Sequence, residues 1–112
     1  MGFPQAIKIC LSKYATFEGR AARPEFWYFE LMLFILFVIC VVLPVLAIPI
    51  FLIELGLWIP NLAVGARRLH DVNKSGWWQL LLLLPILGPI ALIVFWCGAS
   101  HPGANRYGPP PA

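Results

Sequence analysis

Residues 67–78, Arg-Arg-Leu-His-Asp-Val-Asn-Lys-Ser-Gly-Trp-Trp, are the one compact polar block in the interior of a 112-residue chain. On its N-terminal side an apolar stretch runs from Leu31 to Ala66, broken by a single charge at Glu54. On its C-terminal side a second stretch, Trp77 to Cys97, carries no charge at all. A basic block between two long apolar stretches, closed by paired tryptophans, reads as a loop at a membrane face.

Composition agrees with that reading. The hydrophobic fraction is 61%, against roughly 45–50% in soluble domains. Charged residues make up 12%, against about 25%. A soluble domain this small has too little interior to hide so much apolar surface, so lipid is the expected solvent. The net charge is +3 with the basic residues at loop positions, which suits an anionic membrane face and argues against nucleic acid. Cys10, Cys40 and Cys97 are odd in number, far apart and in no C-x-x-C pair. Neither a metal site nor a disulfide framework is expected, and no cofactor is implied. Charges precede the first apolar run and no A-x-A site follows one, so that run is expected to stay uncleaved.

The expected fold is an all-α integral membrane protein forming one membrane domain over residues 1–112. Phe3, Ile7, Cys10, Leu11, Tyr14 and Phe17 make a helical stripe, predicting an amphipathic helix over about 3–18 that lies in the headgroup region or packs on the bundle. A single helix from Leu31 to Ala66 would be about 54 Å long against about 30 Å of hydrocarbon, so two spans are needed there. Their turn falls around Pro44 to Pro49. The expected spans are 25–46 and 49–68 as a hairpin, then 77–97, with a flexible tail over 98–112. Three crossings put Lys8, Lys13, Arg20, Arg23, Arg67, Arg68 and Lys74 on one face and leave Arg106 on the other, as the positive-inside rule wants for a cytoplasmic N-terminus. Trp96 then marks the opposite interface. Pro85, Gly88 and Pro89 predict a kink or partial unwinding in the third span; it reads either as a broken helix lining a substrate site or as a kinked packing helix.

Chemistry is sparse. Glu54, Trp58, Asn61, Gly65 and Arg68 follow one another at helical spacing, which makes Glu54 and Asn61 a candidate intramembrane polar face. His70 beside Asp71 is not a dyad, because adjacent residues point apart. No nucleophile–base pair, phosphate loop or H-E-x-x-H motif occurs, so no catalytic residue is expected and the chain reads as a non-enzyme. Arg67, Arg68 and Lys74 could meet anionic headgroups or pair with nearby acids.

Three separated motifs resemble a family of small bacterial inner-membrane proteins catalogued as domain of unknown function 805. They are Phe17-Glu18-Gly19-Arg20-Ala21-Ala22-Arg23-Pro24-Glu25-Phe26-Trp27, then Pro60 with Arg67-Arg68-Leu69-His70-Asp71 and Ser75-Gly76-Trp77-Trp78, and finally Gly103-Ala104-Asn105-Arg106-Tyr107-Gly108-Pro109. The resemblance implies a helical protein of the bacterial inner membrane and supplies no activity. The first two motifs fall on one face of the expected topology, each with arginines, an acid and a tryptophan. Arg20, Arg23, Glu25, Arg67, Arg68, His70 and Asp71 are therefore the candidate polar cluster, Arg20 or Arg23 meeting Asp71 and Glu25 meeting Arg67 or Arg68. The expected partners are the bilayer, anionic lipid headgroups, and a second copy or another membrane protein. The expected function is a non-enzymatic interaction module, with a small transporter or channel subunit using Glu54 and Asn61 as the alternative.

Overall fold

A computed structural model describes residues 2–111. Among them it forms the α-helices α1 (Phe3–Ser12), α2 (Arg23–Val42), α3 (Ala47–Gly56), α4 (Trp58–Asp71) and α5 (Leu87–Cys97), with 3-10 segments at Pro44–Leu46 and Gly76–Leu83. No strand occurs among the described residues; an isolated bridge joins Asn105 and Gly108.

α1 is shorter than the expected 3–18 helix. It ends where the Ser12 hydroxyl bonds the Ile9 carbonyl at 2.9 Å, and the chain from Lys13 leaves the helix to reach α4. Its buried face is Ala6 and Cys10, the Cys10 thiol lying 3.7 Å from the Glu25 carbonyl. Leu11, Tyr14 and Phe17 of the expected stripe are exposed.

α2 is 20 residues long and holds an 18-residue window of mean hydropathy 2.2; its length gives about 30 Å of helix, the thickness of the hydrocarbon layer. Pro24 sits in its first turn, where no backbone donor is lost. Leu43 precedes a proline and is pushed off helical geometry, to φ −123° and ψ 79°, so α2 stops there. The 3-10 turn at Pro44–Leu46 reverses the chain within the expected 44–49 window.

The return limb is broken between α3 and α4 by 47°. Proline explains the break. The Gly56 carbonyl would pair with the amide of residue 60, which is Pro60 and has no hydrogen to give. The Tyr14 hydroxyl donates to that carbonyl instead. α4 ends in a Schellman-type cap, with Lys74 N on Leu69 O at 2.8 Å and Asn73 N on His70 O at 3.0 Å. Asn73 supplies the left-handed residue at φ 62°.

The third apolar stretch departs from expectation most. Residues 77–97 do not form one crossing helix. The 3-10 helix of Gly76–Leu83 runs away from the Arg67–Trp78 block, the chain turns at Leu84–Ile86, and α5 comes back. Eight residues of 3-10 helix cover about 16 Å and eleven of α-helix about 16.5 Å, so the two limbs match in length. A Cβ at Gly88 would run into the Leu81 carbonyl, so close packing of the limbs requires glycine there. The proline-rich centre that predicted a kink thus makes a reversal, and both ends of the stretch lie at the same end of the molecule. Trp96 consequently sits beside Phe26, ring centroids 4.7 Å apart, and its Nε1 donates to Gly65 O at 3.2 Å. It does not mark an opposite face. Arg106 also lies at the Arg67–Trp78 end, because the tail is bonded there.

Packing is concentrated at that end. Cys10, Ala21, Phe26, Phe29 and Val64 form the core, while Val41, Val42, Val45, Ile48 and Phe51 at the other end stay more than half exposed, a surface suited to lipid. Replacing Tyr14 with Phe removes the donor for the Gly56 carbonyl where lipid offers none. A loss of about 1–3 kcal/mol in detergent unfolding is expected; an unchanged unfolding midpoint would refute this account of the break.

Candidate functional site

Five charged side chains of the two basic motifs are buried: Arg20, Glu25, Arg67, Arg68 and Asp71. The Asp71 carboxylate is the hub. Arg20 Nε and Nη2 both reach its Oδ1 at 3.0 Å, Arg68 Nη1 reaches its Oδ2 at 2.6 Å, and the Ser100 hydroxyl donates to Oδ2. Glu25 pairs with Arg67, whose Nε also reaches the Thr16 carbonyl at 3.1 Å.

The remaining guanidinium capacity goes to backbone carbonyls. Arg20 donates to Gly103 O and His101 O, each at 2.7 Å. Arg68 Nε donates to Trp96 O at 2.9 Å and its Nη2 to Gly98 O, and Arg23 reaches Cys97 O at 3.4 Å. The carbonyls of Trp96, Cys97 and Gly98 close α5, have no intrahelical partner, and let these cations meet the negative end of the helix dipole, while His101 and Gly103 lie further along the tail. Of the two arginines offered for Asp71, Arg20 makes the contact; of the two offered for Glu25, Arg67 does. Arg23 stays outside the ion pairs. His70 joins neither pair: its Nδ1 lies 2.9 Å from Gly19 O, and its ring stacks on Tyr107 at 4.0 Å. The tail over 98–108, expected to be flexible, is strapped across this end by His101 N on Asp71 O at 2.7 Å and Asn105 Nδ2 on His70 O at 2.9 Å.

Electrostatics at this end disfavours reactive groups. Burial, reinforced by Glu25, pushes the Cys10 thiol up to about 12, so it is protonated and a poor nucleophile or ligand at neutral pH. Burial also lowers the His70 value below its usual 6.5; Gly19 O opposes this and Arg106 adds to it. Burial thus favours the neutral ring. Among the described residues no group of three or more His, Cys, Asp or Glu is placed to hold a metal ion.

Two cavities flank the knot. One, of about 580 Å³, lies between α4, the 3-10 helix of Gly76–Leu83 and the tail, with His70, Ala66, Gly76 and Tyr107 in its lining. The other, of about 280 Å³, lies between α2 and the α3–α4 limb and is lined by Glu30, Glu54 and Asn61 among apolar side chains. Here Glu54 Oε1 and Asn61 Oδ1 are shielded from solvent with no hydrogen-bond donor. The expected stripe from Glu54 to Arg68 is divided. Glu54, Trp58 and Asn61 line the cavity against α2, whereas Gly65 and Arg68 meet Gln79, Trp96 and Gly98. Glu30 was missed in the sequence because it precedes the uncharged run; its position five residues past Glu25, inside the helix, was the signal.

Removing the charge at Asp71 leaves Arg20 and Arg68 buried without their shared anion. Asp71→Asn is expected to lower stability by about 3–5 kcal/mol, measured by thermal unfolding in detergent, and to release the tail to proteolysis. A tail as protected as in the native chain would contradict the hub assignment.

A family model described as a protein of unknown function, DUF805, matches residues 14–109. Inner membrane protein YhaH of Escherichia coli K12 is 40% identical over 110 residues, covering 90% of this chain and 91% of the relative. Inner membrane protein YhaI of the same strain is 41% identical over 106 residues, covering 90% of each. No solved structure matches the chain.

Proposed function

The chain belongs to the DUF805 family, and we propose that it is a non-enzymatic module of the bacterial inner membrane that works by associating with another membrane protein, a second copy of itself included, or with anionic lipid. Its relatives' names supply the membrane. In the topology that goes with this reading, α2 crosses outward, the α3–α4 limb returns, and residues 77–97 re-enter from the cytoplasmic side without crossing. Lys8, Lys13, Arg20, Arg23, Arg67, Arg68, Lys74 and Arg106 then all face the cytoplasm, a stronger bias than three crossings give.

The observation that carries the association is the uncovered tip of the re-entrant hairpin. Leu83, Ile86 and Leu87 are at least 75% exposed, and the chain between them is not helical. Irregular backbone at membrane depth persists only where protein or a water-filled cavity covers it. One chain alone covers it with neither, so another protein surface does. A photo-cross-linking residue at Leu83, in cells making the full chain, is expected to give discrete protein adducts. Adducts to lipid alone would remove protein association through this tip.

A second reading, a transporter or channel subunit, is favoured by the cavity of Glu30, Glu54 and Asn61. Two carboxylates and an unpartnered amide oxygen at membrane depth suit a pathway for protons or cations. The cavity is small, so several copies would have to assemble to enclose a path. In reconstituted vesicles this reading expects cation or proton flux that falls at least tenfold in Glu54→Gln; absence of flux in every imposed gradient removes it.

A further inference from the structure

The larger cavity lies apart from the ionic knot, whose Arg20 and Arg68 are saturated by Asp71 and backbone carbonyls. It follows one stripe of α4. Leu62, Ala66 and His70 are spaced four apart and all line it, so it tracks the helix for about 12 Å. Polarity changes along that line. Leu62 and Leu80 flank the deep end, Ala66 and Gly76 form the floor, and His70, Ser75 and Tyr107 surround the water-facing end. A Cβ on Gly76 would stand 2.9 Å from the Ala66 Cβ, so these two small residues meet directly and leave the space above them open. At about 580 Å³ it falls within the roughly 300–1,000 Å³ of small-molecule sites.

The water-facing end has a definite chemistry. The His70 Nδ1 proton is directed at Gly19 O, so Nε2 presents a lone pair. That nitrogen is aimed at the floor, 3.6 Å from where a Gly76 Cβ would be, and has no hydrogen-bond partner among the described residues. Stacking on Tyr107, with the rings 3° from parallel, fixes its direction. Arg106 stands over the Tyr107 ring at 5.0 Å and likewise makes no hydrogen bond or ion pair among the described residues. The Ser75 oxygen accepts from Trp77 N at 3.2 Å, leaving its O–H free to donate. An acceptor and a donor thus line an apolar slot that opens past Trp77 and Leu80, 78% and 58% exposed, and the Arg106 cation stands against its lining residue Tyr107 rather than in the lining itself.

We infer that this cavity binds one glycerol-headed anionic phospholipid, its head hydroxyl donating to His70 Nε2, its phosphate meeting Ser75 and Arg106, and its first methylenes lying against Leu62 and Leu80. Each part answers one feature of the site. A choline head offers no donor for Nε2, and neither choline nor ethanolamine leaves a net negative charge for Arg106. The site is independent of the association proposed at the hairpin tip: lipid retention and cross-linking at Leu83 can fail separately.

The test is native mass spectrometry of the full chain in mild detergent, titrated in turn with phosphatidylglycerol, phosphatidylethanolamine and phosphatidylcholine. One phosphatidylglycerol is expected to be retained about tenfold more tightly than phosphatidylcholine, the effect of one hydrogen bond with its charge. H70F keeps the stack on Tyr107 but removes the acceptor, and is expected to reduce that preference severalfold while leaving the part due to Arg106; H70Q, with a side-chain carbonyl, is expected to keep it. L80W fills the slot from an exposed position and is expected to lower phosphatidylglycerol retention about tenfold with unchanged helical circular dichroism. Equal retention of the three lipids, or retention of phosphatidylglycerol unaltered in L80W, overturns the assignment.

Discussion

The Asp71 carboxylate governs the architecture. It lies at the end of α4, yet its partners come from residues 20, 68 and 100, so one side chain ties together the segment before α2, the end of α4 and the segment after α5. Ions this deep are stable only when every charge and hydrogen-bonding group is answered. Two guanidiniums around one carboxylate leave surplus donors, and these are answered by carbonyls of residues 96, 98, 101 and 103. That requirement brings the C-terminal segment back to the end it started from. Both ends of residues 77–97 therefore lie at the knot end of the molecule. The hairpin in that stretch follows from the knot.

Much of this was legible in the sequence, though only where a local pattern carries the information. Pro44 and Pro49 marked the reversal after α2 because proline acts on its own neighbours. Pairing of the two basic motifs was legible as well, since opposite charges recurred on two stretches assigned to one face. The direction of residues 77–97 was not. Hydropathy measures length and polarity and is blind to whether a stretch crosses or returns; 21 uncharged residues satisfy either path. Pro85 and Gly88 signalled a break, but a kink and a reversal share that signature. What separates them is Arg68 donating to Trp96 O and Gly98 O, and carbonyl acceptance leaves no trace in residue type. Tyr14 and Gly56 were hidden for the same reason.

The knot also changes what the arginines can do. From sequence, Arg67 and Arg68 looked available to lipid headgroups as much as to acids. In the fold both are fully buried, and their donors are directed at Glu25, Asp71 and backbone oxygens, apart from Arg67 Nη2, which is enclosed with no partner. A ligand could reach them only by dismantling the contacts that hold α2, α4 and the tail together. The inferred lipid site therefore draws on groups just outside the knot: His70 Nε2, the Ser75 hydroxyl and Arg106.

The two ends of the molecule are stabilised by different means. Near the knot, aromatic and small side chains pack densely and charges are paired. Beyond Gly56 and Leu83 the helices present leucine, isoleucine, valine and phenylalanine outward and meet one another little. Lipid can replace protein contacts for those side chains, because it is as apolar as they are. It cannot replace hydrogen bonds for the shielded oxygens of Glu54 and Asn61. These two oxygens lie toward the apolar half, whereas the Asp71 carboxylate is fully partnered. The Asp71 hub is answered within a single chain, although Arg67 Nη2 and His101 Nδ1 at the same end are enclosed without partners; at the apolar end, association with another chain or enclosed water would supply what the shielded oxygens lack.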